Sequence, residues 1–257
     1  MNSRVLIPAL VFVVVILSAS AFCQEPLSGQ SSFIVQKLEQ AQSIGPRIAY
    51  EVIREYHLFG TNNSRPISEV TAQVDYRPPN QKIYVIQKSS GSSRGEQVVK
   101  RILDHEAELA SQNSSSAAEL TTHNYNFRYL GERSDFGKRY FVLDLQPKRK
   151  DKNLVAGVAW VDESSFRVCH IEGELAQSPS WWIKKVHVAI EFANLAGAWQ
   201  QSHMEAVADV RFIGTQTIRA ETTVNLETAQ AQAAVQKRRG NSNLPAELLL
   251  VPPNEHR

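Results

Sequence analysis

The chain has 257 residues, with 28 Lys or Arg against 26 Asp or Glu and a net charge of +2. Charges so balanced and interspersed exclude the concentrated basic face that nucleic-acid binding ordinarily needs. Two cysteines are too few to read as a disulfide framework, and 42% apolar content supplies one large core or two small ones. At the start, Arg4 precedes an apolar run from Val5 to Leu17 and the small residues Ser18, Ala19, Ser20 and Ala21. That is the layout of a secretory signal peptide, and a run of about 13 residues falls short of the ~20 a spanning helix needs. Cleavage is expected after Ala21 or after Cys23, which makes 1–23 an export segment. Lipid anchoring at Cys23 ranks second, because Phe22 stands where a lipoprotein signal wants Gly, Ala or Ser.

Residues 24–226 are expected to form the folded domain. Helical spacing over Phe33 to Ile44 puts Phe33, Ile34, Lys37, Leu38 and Ala41 on one side, and Gly45-Pro46 ends that element. The period then becomes two. Ile48, Tyr50, Val52, Arg54, Tyr56 and Leu58 share one face of a long strand, and Val70, Ala72, Val74 and Tyr76 mark a second. Ile83 to Gln87 reads as a third strand, Ser89 to Gly95 ("SSGSSRG") as a polar loop, and Glu96 to Ala110 as a helix carrying Val98, Val99, Ile102 and Leu103. From Tyr125 the chain is strand after strand: 125–133, 138–146, 154–161, 166–172, 186–192, 203–213 and 217–224. The breaks are short and polar, which favours an antiparallel meander over crossover helices. Residues 227–257 read as a loose Ala/Gln-rich and basic tail. The fold class is thus α+β: about ten antiparallel strands with one helix before them and one after the third. A sheet this long has to curl over something to hide its apolar face.

No motif plainly performs chemistry. The histidines are scattered without metal-ligand spacing, and there is no nucleophile elbow or phosphate-binding glycine loop. Asp144, Asp162, Glu163, Glu172 and Glu174 sit at strand ends or on polar faces, where solvated carboxylates belong. Cys169 lacks a neighbouring base and reads as an inert packed thiol. The run Lys148-Arg149-Lys150-Asp151-Lys152 reads as a solvated hairpin tip, with contact to an anionic lipid or a partner as the alternative, and Trp181-Trp182 falls in a loop. Aromatic residues on apolar strand faces either pack the core or line a surface for acyl chains, which need shape and apolar area but few polar contacts.

"YFVLDLQPK" (140–148), "GVAWVD" (157–162) and "RVCHIEGEL" (167–175), together with the order of elements, resemble the LolA/LolB lipoprotein carriers over roughly Phe33 to Val224. The resemblance implies an unclosed, strongly bent antiparallel half-barrel capped by helices, around a hydrophobic cavity that accepts lipid chains. It implies a periplasmic carrier of lipoproteins, or a relative that senses them in envelope-stress signalling. In such carriers a polar residue in the lining helps control opening, and Arg54 is the candidate for it here. The expected lining is Tyr50, Val52, Arg54, Tyr56, Val74, Leu143, Val158, Trp160, Ile190 and Phe192. Leu143, Val158 and Trp160 are expected centrally in the sheet, with Trp160 nearest the lipid. The function expected is non-catalytic binding of a lipid or lipoprotein acyl chain by a monomer, with no catalytic residues, metal or cofactor. The alternative is an envelope regulatory or structural protein with a filled core that docks a partner protein. A third reading, an outer-membrane β-barrel, suits the alternating strands but not the helical segments or the polar C-terminus.

Overall fold

A computed structural model describes residues 29–43, 48–61, 64–111, 118–195 and 197–224. The expected export segment 1–23, the Gly45-Pro46 helix stop and the tail 227–257 lie outside these. Helix α1 is Gly29–Ser43, followed by strands β1 (Tyr50–Phe59), β2 (Pro66–Arg77) and β3 (Gln81–Gly91) and helix α2 (Ser93–Ser111). Then come β4 (Tyr125–Asp135), β5 (Lys138–Pro147), β6 (Val155–Asp162), β7 (Val168–Leu175), β8 (Ile183–Leu195), β9 (Ala198–Val210) and β10 (Gly214–Val224).

All ten strands form one antiparallel sheet in the order β3-β2-β1-β10-β9-β8-β7-β6-β5-β4. Strands β4 to β10 pair in sequence as a meander, β1 to β3 make a second one, and β1 joins β10 with Val52 opposite Val224 through to Phe59 opposite Thr217. β3 and β4 are left as free edges, so the sheet is an unclosed half-barrel with two helices. Two-residue alternation gives each strand an inner and an outer side, and the helices lie on the inner one. α2 packs on β2 and β3, and α1 packs on β4.

Three local expectations change. The buried stripe of α1 is Ser31, Ile34, Val35 and Leu38, while Phe33 is exposed and meets Phe166 edge-on at 5.7 Å. The stretch 89–95 is not a hairpin loop. Ser89 to Gly91 complete β3 and Ser93 to Gly95 begin α2, with the Ser92 carbonyl accepting from the Gly95 amide at 2.9 Å. A Cβ on Gly95 would run into the Ser68 side chain, so glycine lets the helix start against β2. Finally, Val158 and Trp160, expected in the lining with Trp160 nearest the lipid, lie on the outer side of β6. Ala159 and Val161 are fully buried on the inner side, whereas Val158 and Trp160 are only half-buried on the outer.

Candidate functional site

The inner face divides into three apolar regions. Under α2, Tyr50, Val52, Tyr56, Val70, Ala72, Val74 and Tyr76 pack against Val99 and Leu103 of the helix. Arg54 sits among them at 2% exposure. Its Nη1 donates to both carboxylate oxygens of Glu106 on α2 at 2.9 Å and to the Tyr56 hydroxyl at 3.3 Å, and its Nε donates to Thr222 Oγ1 at 3.3 Å. Lys82 Nζ reaches the same carboxylate at 2.6 Å. Burial by itself would raise the Glu106 pKa, but Lys82 and Arg54 outweigh it and hold it at about 2. Burial, only partly offset by the Arg54 charge, pushes the Tyr50 and Tyr56 phenols up to about 12. Four of the expected lining residues, Tyr50, Val52, Tyr56 and Val74, are therefore the floor on which α2 rests, and Arg54 is the charge that ties it down.

Under α1, Leu143 is fully buried with Tyr125, Phe127, Phe141, Leu145, Leu154, Ala159 and Val161 against Ile34, Val35 and Leu38. Phe192 packs on the margin of this region. Between the two covered regions runs a third made of strand residues alone. It comprises Val155, Val186 and Val188 with half-buried Ile171, Leu175, Ile183, Ile190, Ala206 and Ala208. Ile190 is the one expected lining residue found here.

The register explains the shape of this strip. Gly157 faces Gly173, Gly173 faces Val188 and Val188 faces Ala206, giving a cross-strand row of mainly small residues. Bulkier rows flank it: Val155 faces Leu175 on one side, and Ile171 faces Ile190 on the other. A Cβ on Gly157 or Gly173 would collide with the partner strand's backbone, so the two strands approach more closely than a side chain allows. The result is an apolar strip across β6 to β9, buried at Val155, Val186 and Val188 and half-buried elsewhere, on which no described helix packs. Alternation marks Val186, Val188 and Ile190 as one face. Which strands the helices leave bare is set by tertiary packing, which local period does not encode.

Val158 and Trp160 do not belong to any inner lining. Val158 lies opposite Asp144 and Glu172, and Trp160 opposite Val142 and His170. The Trp160 ring stacks on His170 at 4.2 Å and carries the Arg133 guanidinium 4.1 Å from its centroid. Leu143 and Trp160 thus face opposite sides, and the ten expected residues cannot line a single cavity.

The carboxylates are engaged one by one. Asp144 pairs with Arg128 at 3.0 Å, Glu163 with Arg139 at 2.6 Å, Glu174 with Lys185 at 3.2 Å, and Glu172 with His170 at 3.4 Å. Asp162 closes the β6–β7 turn by accepting from Ser164 and Ser165; burial would raise its pKa, and these donors hold it below the usual range instead. Burial pushes the Cys169 thiol above its usual pKa, the direction that makes it a poor nucleophile. Among the described residues no group of three or more His, Cys, Asp or Glu is placed to hold a metal ion, and no helix is long and apolar enough to cross a membrane.

At the end of the sheet that contains the β7–β8 connection lies an open cleft of about 680 Å³, lined by Trp181, Ile183, Lys184, Lys185, Asp209 and Arg211 among others. A smaller cleft of about 130 Å³ lies by Glu55, His57, Glu69 and Lys88.

No protein-family model matches the chain, and no curated protein does. Among solved structures it is similar to a LolA superfamily protein from Nitrosomonas europaea, at 15% identity over 76% of this chain and 93% of that one, with a TM-score of 0.33. It is also similar to a Vibrio parahaemolyticus domain named for outer membrane lipoprotein sorting, at 14% identity over 73% and 89%, TM-score 0.37. The MucA/MucB complex of Pseudomonas aeruginosa matches at 11% identity over 78% and 95%, TM-score 0.25. With overlap this slight, the fold class follows from the strand order and registers given above.

Proposed function

We propose that the protein is an exported, non-catalytic binding module of the cell envelope that holds an apolar chain, an acyl chain of a lipid or lipoprotein, in the trough across β6 to β9. The observation that carries this reading is the third apolar region, which among the described residues contains strand residues only, whereas the other two are each closed by a helix. The half-buried members of this face, Ile171, Leu175, Ile183, Ile190, Ala206 and Ala208, gain free energy from a chain that removes the rest of their surface from water. Its lining offers no charged or nucleophilic group on which a reaction could turn. Export rests on the sequence of residues 1–23, and mass analysis of the secreted chain should find an N-terminus at Phe22 or Gln24.

Two measurements test the binding. Native mass spectrometry of protein purified from its own envelope fraction should find an acyl species bound. A fluorescent fatty acid should bind the emptied protein, and Ala206→Phe or Ala208→Phe, which fill the trough, should abolish its binding without unfolding the chain. An empty protein that fails to bind the probe refutes the proposal.

A further inference from the structure

One end of the half-barrel carries an unusual set of side chains. The β5–β6 connection (148–154), the β7–β8 connection (176–182) and the β9–β10 turn (211–213) all open there, because Val155 faces Leu175, Ile183 faces Val210 and Val210 faces Gly214. Backbone hydrogen bonds sew them into one rim: the Ala176 amide donates to the Leu154 carbonyl at 2.8 Å, and the Arg211 amide donates to the Trp182 carbonyl at 2.8 Å. On this rim Trp181 is 80% exposed, Phe212 98% and Ile213 57%. Beside them stand exposed Lys150, Lys152, Lys184, Lys185 and Arg211. Lys184 and Lys185 are shared with Asp209 and Glu174, but among the described residues Lys150, Lys152 and Arg211 have no acidic partner.

We propose that this rim docks the protein on the surface of an anionic lipid bilayer. Apolar and aromatic tips exposed to water are costly unless they enter another phase, and Trp in particular favours the headgroup level, where its ring is apolar and its N–H stays wet. A basic surround complements anionic headgroups and not a neutral or apolar protein face. The rim is also continuous with the trough, since Leu175 and Ile183 bracket the β7–β8 connection and both belong to the apolar region on which no described helix packs. A chain leaving the bilayer at Trp181 would meet apolar side chains without a polar interval. Docking does not depend on the trough being occupied, so the two ideas can fail separately.

The test is sedimentation of the full chain with vesicles of phosphatidylcholine alone or mixed with phosphatidylglycerol. Binding is expected only to the anionic vesicles and should weaken as salt rises. Trp181→Ser with Phe212→Ser should lower the affinity at least tenfold, Lys150→Ser with Lys152→Ser should flatten the salt dependence, and neither pair should shift the melting temperature. Brominated lipid should quench tryptophan emission in the parent and much less in Trp181→Phe. These variants should leave solution binding of the fluorescent fatty acid unchanged, which separates the rim from the trough. Failure to bind anionic vesicles, or binding indifferent to Trp181 and Phe212, overturns the proposal. Retention on heparin without vesicle binding also overturns it, because the rim would then serve an acidic macromolecule.

Discussion

Replacing Glu106 with Gln should be among the most damaging single changes in α2, although its side chain is still 23% exposed. The substitution keeps the shape and removes the charge that balances Arg54, a guanidinium 2% exposed beneath the helix. Opposite charges about 4 Å apart interact by about 4 kcal/mol at an effective dielectric near 20. Holding Glu106 at about 2 instead of 4.5 corresponds to about 3 kcal/mol in favour of the charged form, an upper figure for a group water can still reach. A loss of about 3 kcal/mol is therefore expected for Glu106→Gln, in line with removing one partner of a buried pair. Arg54→Met paired with Glu106→Leu should recover part of it, since no guanidinium is then buried unpaired and only Lys82, 17% exposed, loses its carboxylate. Because the folded-state pKa is depressed, this stabilisation is complete above about pH 4.5 and is lost as pH falls toward 2. The acid arm of the parent's stability curve should accordingly flatten in Glu106→Gln. Urea unfolding of the double-mutant cycle from pH 7 to pH 3 measures both effects. A Glu106→Gln loss within ~0.5 kcal/mol, or single effects that simply add, would refute the reasoning.

Gly157→Ala and Gly173→Ala should each destabilise by about 1–3 kcal/mol, because the added Cβ meets backbone that can move only by parting β6 from β7; unfolding titrations within ~0.5 kcal/mol of the parent would contradict this. Leu143→Ala should cost ~2–5 kcal/mol, whereas Trp160→Ala on the outer face should cost clearly less and leave fatty-acid binding intact, a ranking that chemical denaturation of the two variants checks. Cys169 should be alkylated far more slowly in the folded protein at pH 7 than after unfolding, and fast labelling on peptide mapping would show that its thiol is not suppressed.

The strands were legible in the sequence because a half-buried antiparallel strand writes its period into the chain, and each expected strand overlaps an observed one with ends moved by a few residues. From Tyr50 to Leu58 the expected inner face of β1 is the observed one, Arg54 included, because five alternating side chains leave one register that buries them, while Ile48 precedes the strand and is exposed. The candidate site was harder to read. β6 offers Val158 and Trp160 on one side and Ala159 and Val161 on the other, so hydrophobicity alone cannot say which pair faces in. The larger pair was expected inward, yet the inner space beneath α1 is already filled by Phe141, Leu143 and Tyr125, and small residues fit opposite them. Trp160 instead finds His170 and Arg133 outside. The same logic hid the middle row of the apolar strip across β6 to β9, where Gly157, Gly173 and Ala206 carry little hydrophobic signal.

The seam between β1 and β10 fixes the order in which the protein can assemble. Arg54 and Thr222 bond across a separation of 168 residues, so β1, which pairs with β2 early, lacks its second neighbour until β10 exists. During synthesis from the N-terminus, β1 to β3 and α2 can fold locally, while the seven-strand meander grows hairpin by hairpin from β4. The rate-limiting event should then be the late closure of the seam, the contact with the largest loop entropy to overcome. Until it closes, β1 remains an open edge, able to capture a strand from another copy of the chain. Anything that shields β1 during that interval would raise the yield of folded protein without altering the stability of the finished one.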